Sequence, residues 1–67
     1  MRIYFNNQII ELPNDYMTLG ELLEYKQVKP EGIAVALNNK IVRKDKWNLT
    51  DLKYDDSVTV ITAAFGG

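Results

Sequence analysis

Apolar and polar residues alternate along much of the chain, and the alternation predicts strands. In Arg2-Ile3-Tyr4-Phe5 it puts Ile3 and Phe5 on one face, as a half-buried strand requires. Asn6-Asn7 follows. Asparagine tolerates a left-handed backbone better than most residues, so this pair predicts a tight hairpin turn with Ile9 to Leu12 as the returning strand. Ile10 and Leu12 share one face of that strand, opposite Glu11, and Pro13-Asn14-Asp15 ends it.

The period then changes. Thr18-Leu19-Gly20-Glu21 fits a capping box, in which the Thr18 hydroxyl accepts from the Glu21 amide and the Glu21 carboxylate reaches back to the amide of Thr18. Met17 and Leu22 stand at hydrophobic-staple positions beside it. Leu19, Leu22 and Leu23 share a helical face, with Glu21 and Glu24 outside, and the helix is expected to end near Lys26 because Pro30 and Gly32 follow. Gly20 in the first turn costs about 1 kcal/mol relative to Ala, and a close approach to the sheet is the expected reason for it.

Strand periodicity returns at Ile33 to Leu37, with Ile33, Val35 and Leu37 on one face and Ala34 and Ala36 on the other; two apolar faces suit a central strand. A second Asn-Asn pair, Asn38-Asn39, turns the chain, so that Leu37-Asn-Asn-Lys-Ile echoes Phe5-Asn-Asn-Gln-Ile. Ile41-Val42 reads as a short strand and Asn48 to Asp51 as a loop or short helical turn. Leu52 is expected in the core, and Ser57 to Ala63 forms a last strand after a turn at Tyr54-Asp55-Asp56. One helix among several strands implies an α+β domain with its sheet covered on one face. If the last strand lies beside the first, the chain leaves the body at the sheet's edge.

Composition narrows the chemistry. The 67 residues make one domain, near the lower size at which a core holds without staples, and there is no cysteine to staple it. The chain also has no histidine and a single serine, Ser57, so the commonest general base, the thiol nucleophile and most transition-metal ligands are missing. A catalyst is not expected. A net charge of −1 gives no general attraction to nucleic acid or anionic lipid. No apolar run approaches the length of a membrane span, and the start of the chain reads as a strand rather than a signal peptide, so a soluble cytoplasmic protein is expected. Asp51, Asp55 and Asp56 lack the spacing, glycine and final glutamate of an EF-hand and read as a solvated turn.

The unusual group is the terminus itself. Residues 1–62 read as the folded domain and 63–67, Ala63-Ala64-Phe65-Gly66-Gly67, as a flexible tail; fully extended, it spans about 17 Å. Glycine lacks Cβ, so Gly66-Gly67 can thread a channel too narrow for other residues. An α-carboxylate with a pKa of about 3.3 to 3.7 is an anion at neutral pH that resists attack until a partner activates it. The plainer reading is a frayed end, as most termini are.

The strand and Asn turn at Ile3 to Ile9, the capped Thr18-Leu-Gly-Glu-Leu-Leu, the stretch Ala34-Val-Ala-Leu-Asn-Asn-Lys-Ile-Val-Arg followed by Trp47, and the closing Gly66-Gly67 together resemble a known family. It is that of the β-grasp, ubiquitin-like sulfur carriers (ThiS/MoaD), and within it the ThiS type of thiamin biosynthesis. The resemblance spans the chain and implies a mixed sheet of four to five strands packed on one main helix. It also implies a carrier with no cofactor of its own. An E1-like adenylating enzyme of the ThiF type would use ATP to adenylate Gly67, a sulfur donor protein would supply the sulfur of a thiocarboxylate, and a thiazole synthase of the ThiG type would accept it. Gly66, Phe65 and Ala64 would be gripped by the partners. The open sheet face and the base of the tail would dock them. Two residues depart from the family pattern. Asp55 stands at a turn position that glycine usually fills, and Phe65 is bulky where small residues are frequent.

Three other readings share parts of this pattern. The small subunit of molybdopterin synthase uses the same terminal chemistry, although the shorter chain favours thiamin. A ubiquitin-like modifier would end in an isopeptide bond from Gly67 to lysine. A non-covalent module would bind RNA through Arg43, Lys44, Lys46 and Trp47, a cluster that reads more simply as a solvated turn with Trp47 folded onto the core.

Overall fold

The two Asn-Asn pairs form the two hairpins of the sheet. In the computed structural model of the chain, which describes residues 1–62, Asn6 and Asn7 have φ of 49° and 67°, and Asn38 and Asn39 have 51° and 72°. Positive φ at both central positions is a type I′ turn, whose twist matches that of the strands it joins. The first turn joins β1 (Arg2–Phe5) to β2 (Gln8–Glu11), and the second joins β3 (Ile33–Leu37) to β4 (Lys40–Val42). The second strand thus starts one residue earlier than expected, because Phe5 pairs with Gln8 across a two-residue loop. Leu12 follows it, buried, with its amide donating to the Met1 carbonyl at 2.8 Å.

The last strand, β5 (Ser57–Thr62), lies between the hairpins and completes a five-stranded sheet of order β2-β1-β5-β3-β4. It runs parallel to β1 and antiparallel to β3. One expectation changes here. The last strand does lie beside the first, but at the middle of the sheet rather than its edge. β3 is an interior strand, between β5 and β4, as its two apolar faces predict, with Ala36 paired with Ile41 and Ala34 with Ile61 on the open side of the sheet.

The other side of the sheet is covered by α1 (Leu19–Tyr25). Its capping box forms as the sequence predicts: the Glu21 amide donates to Thr18 Oγ1 at 3.1 Å, and the Thr18 amide to Glu21 Oε1 at 2.8 Å. The Leu19 amide finds the Thr50 carbonyl at 2.8 Å, so the exposed donors of the first turn are shared between side chain and a crossing segment. The helix stops sooner than Pro30 and Gly32 require. Gln27 adopts φ 58°, its amide donates to the Glu24 carbonyl and that of Val28 to the Leu23 carbonyl, which is the Schellman pattern without glycine.

Gly20 is explained by a neighbour other than the sheet. A Cβ there would collide with the side-chain amide of Asn48, in a 3₁₀ segment at Lys44–Leu49. This segment takes in Lys44, Lys46 and Trp47 of the basic cluster read as a turn, with Arg43 just before it. It is pinned by Trp47, buried at 7% exposure, whose indole Nε1 donates to the Val42 carbonyl at 2.9 Å. Asp55 adopts φ 67° in the turn before β5, as its place in the sequence demands, and its carboxylate lies 2.9 Å from the Arg2 guanidinium. That pairing raises the Arg2 guanidinium above its ordinary value.

Ile3, Leu19, Leu22, Val35 and Val58 are fully buried, so β1, α1, β3 and β5 meet in one core. The domain boundary after residue 62 and the flexible tail 63–67 expected from the sequence fall outside the described residues. No helix among the described residues is long and apolar enough to cross a membrane. Leu22→Ala or Leu23→Ala removes a buried side chain beneath the sheet and is expected to cost about 2 to 5 kcal/mol, measured by denaturant or thermal unfolding. A loss below about 0.5 kcal/mol, the scale of neutral surface changes, would contradict this packing.

Candidate functional site

Everything the sequence marks as reactive follows β5, so the way that strand is held defines the site. At its start, Asp56 accepts from the Lys53 amide at 2.8 Å and from Asn38 Nδ2 at 3.0 Å. The Ser57 amide donates to Asn38 Oδ1 at 2.9 Å, while the Asn38 amide donates to the Ser57 carbonyl at 2.7 Å. On the other flank, the Tyr4 amide donates to the Asp56 carbonyl at 2.8 Å and the Asn6 amide to the Val58 carbonyl at 2.9 Å.

There β1 turns away, and the Asn6 side chain takes over. Its Oδ1 accepts the Val60 amide at 2.8 Å, adding one more rung to the ladder. Each hairpin therefore uses the side chain of its first asparagine to hold β5. This explains the echo between the two Asn-Asn segments, which the sequence displayed without revealing its purpose. Beyond Val60, among the described residues, only β3 flanks the strand, through Ala34 with Ile61 and Ile33 with Thr62. Ile61 and Thr62 are both exposed.

Of the expected site residues, Gly67, Gly66, Phe65 and Ala64 lie outside the described residues. The expected docking face is described in part. Thr59, Ile61, Ala34, Ala36 and Ile41 share the open side of the sheet, with Ile61 50% and Ile41 64% exposed. Ile9, paired with Tyr4 toward the opposite edge, adds a further exposed isoleucine. An apolar face that no described element covers is what a partner surface requires.

The competing sites are not assembled. Asp51 accepts from the Tyr16 hydroxyl at 3.0 Å and Asp15 from the Tyr54 hydroxyl at 3.1 Å. These bonds, and the nearby negative charge, hold both phenols above their ordinary value. Asp55 is engaged by Arg2 and Asp56 by Lys53 and Asn38, and no group of three or more acidic, histidine or cysteine side chains gathers among the described residues. Trp47, needed for base stacking in the RNA reading, is buried with its indole N–H satisfied.

The sequence model of the ThiS family matches residues 3–67, which is nearly the whole chain and includes Gly66-Gly67. The chain belongs to the ThiS family. The crystal structure of a thiamine biosynthesis protein (ThiS) from Geobacter metallireducens is similar over all of both chains, with a TM-score of 0.90 at 23% identity. An NMR solution structure of a thiamine biosynthesis protein from the same organism matches this whole chain and 88% of its own, with a TM-score of 0.79 at 23% identity. At that identity the two structures establish the β-grasp fold. Comparison with curated proteins gives no significant match. Membership of the ThiS family supports a sulfur-carrier role in thiamin biosynthesis.

Asn6→Gly isolates the added rung, since glycine accepts the positive φ of the turn but has no amide to offer. The expected cost is about 0.5 to 1.5 kcal/mol, with faster hydrogen exchange at the Val60 amide than at Val58. Unchanged exchange at Val60 would show that the side chain holds nothing.

Proposed function

We propose that this chain is the sulfur carrier of thiazole formation and that its Gly67 carboxylate is the reacting group. The observation that carries this reading is the family match running through Gly66-Gly67, four and five residues along the chain from the exposed strand end at Thr62. A chain without cysteine or histidine offers little else to react.

The carboxylate attacks the α-phosphate of ATP on an E1-like adenylating enzyme of the ThiF type, and pyrophosphate leaves. The resulting mixed anhydride is a good acyl donor. Sulfide-level sulfur from a donor protein adds to its carbonyl carbon and AMP departs, leaving a thiocarboxylate. That sulfur is a nucleophile at neutral pH and passes to a thiazole synthase of the ThiG type. ATP is the partner's cosubstrate, and the carrier needs no cofactor of its own. Gly66 supplies a backbone without side-chain obstruction, and Phe65 and Ala64 contact the walls of the partner's channel. The body works as a handle in solution in the cytoplasm, with the open face around Ile41 and Ile61 as its docking surface.

Incubation with ATP and the cognate adenylating enzyme tests this directly. Pyrophosphate release is expected with the full chain and expected to vanish when Gly66 and Gly67 are deleted, while the melting temperature stays the same. Release that persists without the glycines would refute the assignment. Conjugates on lysines of other proteins would point instead to a modifier, and productive pairing with a molybdopterin-synthase large subunit to that pathway.

A further inference from the structure

The strand register places several surface cations at one end of the sheet. Thr62 pairs with Ile33, so β5 ends where β3 begins. β4 runs back toward the same end. Val42 pairs with Val35, and Arg43 and Lys44 continue past it, lining a shallow depression with Asp45. Lys44 also shares a groove with Pro30, next to Lys29 in the chain. On the other flank the Lys26 ammonium lies 5.5 Å from the centre of the Phe5 ring, just before the Asn6 turn that holds Val60.

This end also carries Glu24, in the same groove as Lys44, with Glu31 and Asp45, so three carboxylates stand among five cations, and Arg43 pairs with Asp45 at 3.6 Å. Lys26, Lys29, Lys44 and Lys46 form no ion pair among the described residues. The opposite end holds the remaining side-chain cations, Arg2, Lys40 and Lys53, among the more numerous Glu11, Asp15, Asp51, Asp55 and Asp56; there Asp55 binds Arg2, and Asp15 lies 3.5 Å from the Met1 ammonium. A chain with a net charge of −1 is thus polarised along its strands, positive where residue 62 leads into the terminal segment.

We propose that this positive pole steers the carrier, terminus first, onto an acidic rim of the protein that adenylates it, beside the apolar patch of Ile41 and Ile61. The proposal rests on the carrier reading and adds the charge of the partner's surface to it. Charges at the rim of an interface act mainly on the association rate, and fields of this kind raise such rates by about 10 to 1,000-fold. A protein is favoured over RNA because the aromatic within the cluster, Trp47, is buried and the chain as a whole is acidic.

Stopped-flow association with the cognate adenylating enzyme, over a range of salt concentrations, tests it. Lys44→Glu combined with Lys46→Glu is expected to slow association roughly tenfold at low salt and to flatten its salt dependence, with dissociation little changed. Lys53→Glu, made toward the acidic end, is expected to leave the rate within about twofold, since a single charge far from the docking pole adds little to steering. Equal effects of the two variants, or none, would overturn the proposal while leaving the carrier reading intact. No binding by the unaltered protein would overturn both. A single-stranded RNA oligonucleotide whose binding is lost on the same double reversal would overturn the assignment to a protein partner.

Discussion

A strand in the middle of a sheet needs a neighbour on each side, and in this protein neither neighbour is long enough alone. β1 pairs with β5 only at Tyr4–Ser57 and Phe5–Val58, while β3 reaches from Leu37–Val58 to Ile33–Thr62. The gaps are closed by asparagine side chains, Asn6 on Val60 and Asn38 on Ser57. Buried or half-buried backbone amides are costly to leave unpaired, so these two residues do more than turn the chain. They let the central strand run on past β1 to an exposed end. The core supports the same strand from beneath, since Val58 is fully buried with Ile3, Val35 and Leu22. A fixed base for the terminal residues follows from a pairing problem and its solution.

Much of this fold was legible in the sequence because local physics decides it. The capping box at Thr18 and Glu21, the staple of Met17 and Leu22, and the positive φ of the four turn asparagines and Asp55 are properties of short segments, and they hold. What escaped was decided by contacts distant in sequence. Gly20 is small for the sake of Asn48, in a 3₁₀ segment that periodicity did not separate from a turn. The helix does end near Lys26, as expected, but through a local cap with Gln27 where glycine is usual. Placing β5 at the centre required knowing that β1 and β3 both pair with it, which no single segment records. The Asn-Asn echo was visible, but its meaning lies in a third strand. Of the proposed site, the terminal glycines stand out in the sequence but lie outside the described residues, the apolar face around Ile41 and Ile61 was legible only as an expectation, and the cluster of Lys26, Lys29 and Lys44 only after the strand register was known.

These features divide the labour of a carrier between parts. The folded body contributes a fixed strand and an apolar face that no described element covers, with the proposed steering charges beside it. In the proposed reading, reactivity is left to the main-chain carboxylate of Gly67, which becomes an acyl donor only when a partner activates it. Such a design needs few reactive side chains, in keeping with a sequence that has no cysteine or histidine and whose described acidic residues at Asp15, Asp51, Asp55 and Asp56 are occupied in structural hydrogen bonds.

The most direct test of this division is genetic. A strain lacking its own gene for this protein is supplied with either the full chain or one ending at Phe65, and growth is followed without thiamin. Growth with the full chain and none with the shortened one, at equal protein levels, is the outcome the account predicts. Equal growth with both would contradict it.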